Sequence, residues 1–150
     1  MERADIKIGF GCNNHCKFCV QGDKRDYCFY KKKEEIIDNM KEAFKTGKEE
    51  VVFTGGEPCL HPNIIELVSL ARKNGFKEVQ IQSNGRMFAY FDFCKKLIDA
   101  GATQFSPALH GHNSEIHDFL TDADGSFNQT VQGIKNLCNL NQKILTNSVI

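Results

Sequence analysis

Short apolar runs and longer amphipathic stretches alternate along the whole chain, and this alternation constrains the fold more than any other feature of the sequence. Ile6-Lys7-Ile8-Gly9-Phe10 alternates with period two, as a half-buried strand does. From Lys33 to Phe44, the residues Ile36, Ile37, Met40 and Phe44 recur at helical spacing, and Gly47 sits where a helix would stop. Val51-Val52-Phe53 is β-branched and aromatic, which predicts a buried strand. Pro62 suits a first helical position; Ile64, Ile65, Leu67, Val68 and Ala71 supply the apolar face, and Asn74-Gly75 the end. The unit then recurs. Val79-Gln80-Ile81 reads as a strand stopped at Asn84-Gly85, and Phe91, Cys94, Leu97 and Ile98 form a helix face ended by Gly101. Thr103 to Leu109 reads as a fourth strand, in which Pro107 removes a ladder donor and predicts a bend or an edge. Ser126 and Gln129 match a capping box ahead of Val131, Ile134, Leu137 and Cys138, and Lys143 to Ile150 begins a fifth strand.

Strands separated by crossover helices run parallel, so the expected class is α/β. The run Thr146-Asn147-Ser148-Val149-Ile150 ends the sequence without a closing helix. The expectation is therefore the first four βα units and fifth strand of a larger barrel-like domain occupying residues 1–150, with a small complete sheet as the alternative. The 150 residues are 41% hydrophobic and 25% charged, an ordinary globular balance. Lys plus Arg and Asp plus Glu are equal at 19 each, which gives no electrostatic case for binding nucleic acid or an anionic membrane. There is no apolar run of the roughly 18 residues a membrane span needs, and Met1-Glu2-Arg3-Ala4-Asp5 has no signal-peptide character, so the cytosol is the expected compartment.

The chemistry begins with the cysteines, of which there are seven. An odd count without a secretion signal argues against a disulfide framework. Cys12, Cys16 and Cys19 are spaced C-x3-C-x2-C directly after the first strand, at the carboxyl edge where parallel α/β folds collect their sites. Three thiolates on one short loop could hold a cubane iron–sulfur cluster with one iron left open. Zinc bound by these thiols and a histidine such as His15 is the alternative. Cys28, Cys59, Cys94 and Cys138 read as buried filler, although Cys59 lies close enough to the site to face a substrate. Thr54-Gly55-Gly56-Glu57-Pro58 follows the second strand on the same edge. Two glycines allow close backbone approach, and Glu57 offers a carboxylate to an ammonium group.

Together these motifs resemble the radical S-adenosylmethionine (SAM) superfamily: the C-x3-C-x2-C loop with Phe18 before the third cysteine, and Gly-Gly-Glu-Pro after the second strand. The resemblance spans the chain and implies part of a (β/α)6, TIM-like barrel. It implies a [4Fe–4S] cluster on Cys12, Cys16 and Cys19, with the amine and carboxylate of SAM on the fourth iron. Electron transfer would cleave the sulfonium and release a 5′-deoxyadenosyl radical that abstracts hydrogen from a substrate. A flavodoxin or ferredoxin is the implied electron donor, and a peptide one candidate substrate. By the same resemblance, Gly55, Gly56, Glu57 and Pro58 would hold the methionine amine, and Phe18 would neighbour adenine. Ser83-Asn84-Gly85 resembles a Thr-Asn-Gly pattern near the methionine moiety. Strand 4 departs from the family's Ser-hydrophobic-Asp-Gly, reading Ala108-Leu109-His110-Gly111, so a ribose contact falls to His110, to Ser106 or elsewhere.

Glu115-Ile116-His117-Asp118 and Gly125-Ser126-Phe127 resemble the peptide-maturase and molybdenum-cofactor branch of the superfamily. His110, His112 and His117 crowd one loop at a spacing that matches no single-element metal fork, and read as hydrogen-bonding or solvent-facing residues. Two other functions stay open: a non-catalytic iron–sulfur or zinc module, and an inactive portion of a radical enzyme.

Overall fold

The computed structural model describes residues 2–149. One parallel sheet runs β1 (Arg3–Lys7), β2 (Glu50–Thr54), β3 (Glu78–Ser83), β4 (Gln104–Pro107) and β5 (Lys143–Ile144), with spatial order equal to sequence order. Helices α1 (Lys33–Lys45), α2 (Ile64–Lys73) and α3 (Phe91–Ala100) make the first three crossovers, and α4 (Ser114–Thr121) and α5 (Ser126–Asn139) make the fourth. Unbroken neighbour-to-neighbour order is what a sheet curling toward a barrel requires.

The two faces of the sheet differ in chemistry. Val51, Phe53, Val79, Ile81 and Phe105 point toward the helices and are fully buried against Met40, Leu67, Val68, Leu97 and Leu137. The registers Val52↔Gln80↔Gln104 and Gln82↔Ser106 put polar side chains on the opposite, concave face. There Gln80 donates to Gln104 at 3.3 Å. A wholly buried parallel sheet reads as continuous apolar strands; the glutamines mark a face that looks into a cavity instead.

Several elements differ from the sequence expectation. The ladder of β1 covers Arg3–Lys7 rather than Ile6–Phe10; it starts earlier, and its regular part ends before Gly9, which takes φ 147°. Pro62 precedes helix α2, whose N-cap is Asn63. Pro107 is the last residue of a central strand, where the missing N–H interrupts nothing, so it marks neither a bend nor an edge. β5 is two residues long and is followed by a single bridge, Ala108↔Asn147; Ile150 lies outside the described residues. Cys138 is exposed, so it is not core filler.

The capping box does not form. Gly125, at φ 81°, is the N-cap of α5, and Asp118 serves that helix end by accepting from Gly125 N–H (2.8 Å), Phe127 N–H (2.8 Å) and Ser126 Oγ (2.9 Å). A carboxylate at a helix N-terminus also suits the helix dipole, and these donors hold the Asp118 pKa below the usual carboxylate range. α5 then lies tightly over the turn after β3. Asn136 Nδ2 donates to Phe88 O (2.9 Å) and Ala89 O (3.0 Å). A Cβ on Gly133 would come within 2.7 Å of both Gly85 O and Phe88 Cβ.

This contact predicts that Gly133→Val costs about 1–3 kcal/mol, since overpacking forces backbone shifts. Thermal melting should fall by several degrees, at about 2–4 °C per kcal/mol for a chain of this size. Gly22→Ala should be nearly neutral, because a Cβ there meets nothing within 4 Å.

Candidate functional site

The carboxyl edges of the strands surround a cleft of about 540 Å³. Cys12, Cys16, Phe18, Cys19, Gly55, Gly56, Ser83, Asn84, Ser106 and His110 all line it, so most residues singled out in the sequence meet there. Glu57 and Pro58 do not line it.

The cysteine loop is held from several sides. His15 N–H donates to Thr121 O (2.8 Å) and Lys17 N–H to Leu120 O (2.9 Å), which occupies carbonyls that the end of α4 leaves without helical partners. Cys12 Sγ accepts from Asn14 N–H (3.4 Å) and Asn84 Nδ2 (3.7 Å). Burial raises the pKa of the Cys12 thiol. Burial and the neighbouring thiols of Cys12 and Cys19 push Cys16 up to about 11. Arg25, which also lines the cleft, opposes both shifts. Three thiols gathered around one cavity are a donor set suited to a cationic iron cluster, which favours thiolate. Among the described residues no three His, Cys, Asp or Glu side chains are gathered as the ligands of a single metal ion. His15 contributes its backbone N–H here.

The glycines also serve the packing of the chain's own loops. Gly55 has φ 131°, and a Cβ on it would strike Gly9 O; a Cβ on Gly56 would strike Phe10 O and Gly11 O. Positive φ therefore belongs to Gly55 alone, and the space both glycines leave is filled first by the chain's own loop after β1. Ile8 N–H to Thr54 O (3.0 Å), Gly56 N–H to Gly9 O (3.0 Å) and Glu57 N–H to Gly11 O (2.7 Å) continue the β1–β2 pairing up to the cysteines.

Glu57 is buried at 3% exposure with both carboxylate oxygens engaged. Oε1 accepts from Cys59 N–H (2.9 Å) and Ser83 Oγ (2.8 Å), and Oε2 accepts from Asn84 N–H (2.6 Å). Burial raises its pKa above the ordinary glutamate value, and these donors pull it back. Pro58 is buried at the start of the short 3-10 turn Pro58–Leu60 that follows.

The polar groups near β4 are mostly committed. Ser106 Oγ donates to Leu145 O (2.8 Å) and accepts from Asn147 Nδ2 (2.8 Å). His110 Nδ1 accepts from Val149 N–H (3.0 Å), and His117 Nδ1 accepts from His110 N–H (3.0 Å). Burial lowers both imidazole pKa values, so each ring is neutral near pH 7 with its proton on Nε2. The Nε2 of His117 is buried without a partner among the described residues, whereas His110 lines the cleft and meets the Phe18 ring edge-on at 4.7 Å. The sequence reading missed Arg86, Asn13 and Asn14. Arg86 Nη1 donates to Asn13 O (2.5 Å) and Asn14 Oδ1 (3.0 Å), and its Nε donates to Gln129 Oε1 (2.6 Å). Only the position of Arg86, just past Asn84-Gly85, hinted at a role.

Comparison with known proteins gives a consistent result. The chain is 32% identical over 136 residues to a probable GTP 3′,8-cyclase of Saccharolobus solfataricus, covering 90% of the chain and 43% of that protein. It is 30% identical over 151 residues to the GTP 3′,8-cyclase of Aquifex aeolicus, covering 97% of the chain and 46% of that protein. The chain thus spans less than half the length of these curated relatives. A solved structure of anSMEcpe with bound AdoMet and a peptide superposes with a TM-score of 0.76 at 20% identity, over 96% of this chain and 42% of that one. The family model of the radical SAM superfamily matches residues 6–150, and the chain belongs to that superfamily.

Proposed function

We propose that residues 1–150 are a radical SAM core domain that generates a 5′-deoxyadenosyl radical for hydrogen abstraction. The observation that carries this reading is the meeting of Cys12, Cys16 and Cys19 with Gly55, Gly56 and Asn84 around one cleft. The family uses a [4Fe–4S] cluster and SAM. When bound, this pair supplies reductive cleavage of the sulfonium, chemistry that no protein side chain provides. The chain's own residues hold and orient. The three cysteines would ligate the cluster. The rim made by Gly55 and Gly56 would offer backbone groups to the methionine part, and Phe18 would flank adenine.

His110 is a better ribose or adenine contact than Ser106, because its Nε2–H remains available whereas the Ser106 hydroxyl already serves Leu145 and Asn147. Glu57 supports the site from behind by fixing Ser83 and Asn84, instead of gripping the methionine amine itself.

A reductant is required, and a flavodoxin or ferredoxin in the cytosol is the proposed donor. Among the described residues no helix is long and apolar enough to cross a membrane. For the substrate, the relatives that share 30–32% of residues are named GTP cyclases, whereas the peptide-bound structure shares fold at 20% identity. A purine nucleoside triphosphate is therefore the first substrate to offer, and a peptide the second.

The test is anaerobic reconstitution with iron and sulfide, addition of SAM and dithionite, and chromatography for 5′-deoxyadenosine. The expected result is 5′-deoxyadenosine from the reconstituted chain and none from the Cys16→Ala variant. A loaded chain that binds SAM and forms none would show a binding module without the radical step.

Glu57→Gln separates support from direct contact. Three buried donors would lose a charged acceptor, which should cost about 2–4 kcal/mol of stability. SAM affinity should fall together with the melting temperature. Lost affinity at unchanged melting temperature would instead return Glu57 to a direct ligand role. In the same titration, His110→Phe should weaken SAM about two- to tenfold, the worth of one neutral hydrogen bond, without altering iron content.

A further inference from the structure

Arg86 is a cation spent entirely on neutral acceptors. Its guanidinium serves one backbone carbonyl and two side-chain amides, and it forms no ion pair among the described residues. Two of those acceptors, Asn13 O and Asn14 Oδ1, belong to the residues that follow Cys12. The third, Gln129, lies on the first turns of α5. The fork shape of the guanidinium matters here, because a single group reaches two elements in fixed directions.

The neighbouring bonds tighten the same arc. Arg86 N–H donates to Asn84 Oδ1 (3.0 Å), which turns Asn84 Nδ2 toward Asn13 Oδ1 (2.6 Å) and Cys12 Sγ (3.7 Å). Asn14 is 1% exposed, and its N–H also meets Cys12 Sγ. Of the donors directed at this sulfur, Asn14 N–H thus sits in the arc that the Arg86 guanidinium holds, while Asn84 Nδ2 is oriented by the backbone N–H of residue 86.

We propose that Arg86 is the positioning residue of the cysteine loop, fixing the Asn13–Asn14 arc so that Cys12 is presented to the cluster with its hydrogen bonds already formed. The proposal rests on the cluster assignment made above. Two consequences follow from it. A loop held in place before the metal arrives loses less order on binding, so the cluster is retained longer. Oriented N–H donors to a ligating sulfur favour the more negative, reduced cluster.

The experiment compares wild type, R86K and R86Q after anaerobic reconstitution, measuring the rate of iron loss to a chelator and the extent of cluster reduction at one fixed potential by electron paramagnetic resonance. R86Q is expected to lose iron roughly tenfold faster, the factor that one charge-assisted hydrogen bond commands. It should also be reduced to a smaller extent than wild type. R86K keeps a donor without the fork, so it should fall between wild type and R86Q in both measurements. Circular dichroism reports whether R86Q folds; where it does not, Q129M, which removes only the α5 end of the bridge, is expected to lose iron about two- to threefold faster. Wild-type iron loss and reduction in the folded variant would overturn the proposal. A wild-type chain that takes up no cluster would overturn the cluster assignment instead, so the two failures are distinguishable.

Discussion

One buried carboxylate holds the working edge of this sheet together. Glu57 leaves the end of β2, and its oxygens gather the N–H of Cys59, the hydroxyl of Ser83 and the N–H of Asn84. A buried charge is tolerated only when it is fully hydrogen-bonded, and breaking such a set costs several kcal/mol. The arrangement therefore gives little freedom to the loop after β3. That loop carries Asn84 to Cys12 and Arg86 to Asn13 and Asn14, so the cysteine loop inherits its position from Glu57 through two further links.

The second constraint is the unequal chemistry of the sheet faces. Phe53, Ile81 and Phe105 bury one face under the helices, while Gln80, Gln82 and Ser106 line the cleft on the other. The apolar side drives folding, and the polar side faces the cleft. Parallel strands end in unpaired backbone groups at their carboxyl edge; here the loops after β1 and β2 use those groups to bind each other, and the Glu57 carboxylate ties in the loop after β3. Gly55 and Gly56 permit this close approach, which explains why residues with no side chain recur where three loops meet.

Much of the fold was legible in the sequence because period and punctuation are local. The alternation of runs gave four crossovers, and Gly47, Gly75 and Gly101, all with positive φ, closed α1, α2 and α3 as their positions suggested. The three thiols and Gly55-Gly56 could be placed on one rim because both follow strands. Helix α4 escaped detection for a physical reason. Its buried residues are His117 and Thr121, while Ile116 and Phe119 are exposed at 40% and 65%, so no apolar periodicity marks it. The inward turn of Glu57 and the reach of Arg86 were also invisible. Each depends on partners 26 to 73 residues away, and a local motif carries no record of them. Likewise Ser126 and Gln129 have the capping-box pattern, but Asp118 and Arg86 claim their side chains.

The account's central claim is that Cys12, Cys16 and Cys19, and no other thiols, hold an iron–sulfur cluster at this edge. Iron and sulfide counted per chain after anaerobic reconstitution tests it most directly, in wild type and in the single alanine variants of Cys12, Cys16, Cys19 and buried Cys94. The account predicts a full [4Fe–4S] complement in wild type and Cys94→Ala, and loss of the cluster in the other three. A full complement in Cys16→Ala, or a wild-type chain that takes up one zinc ion and no iron, would contradict it.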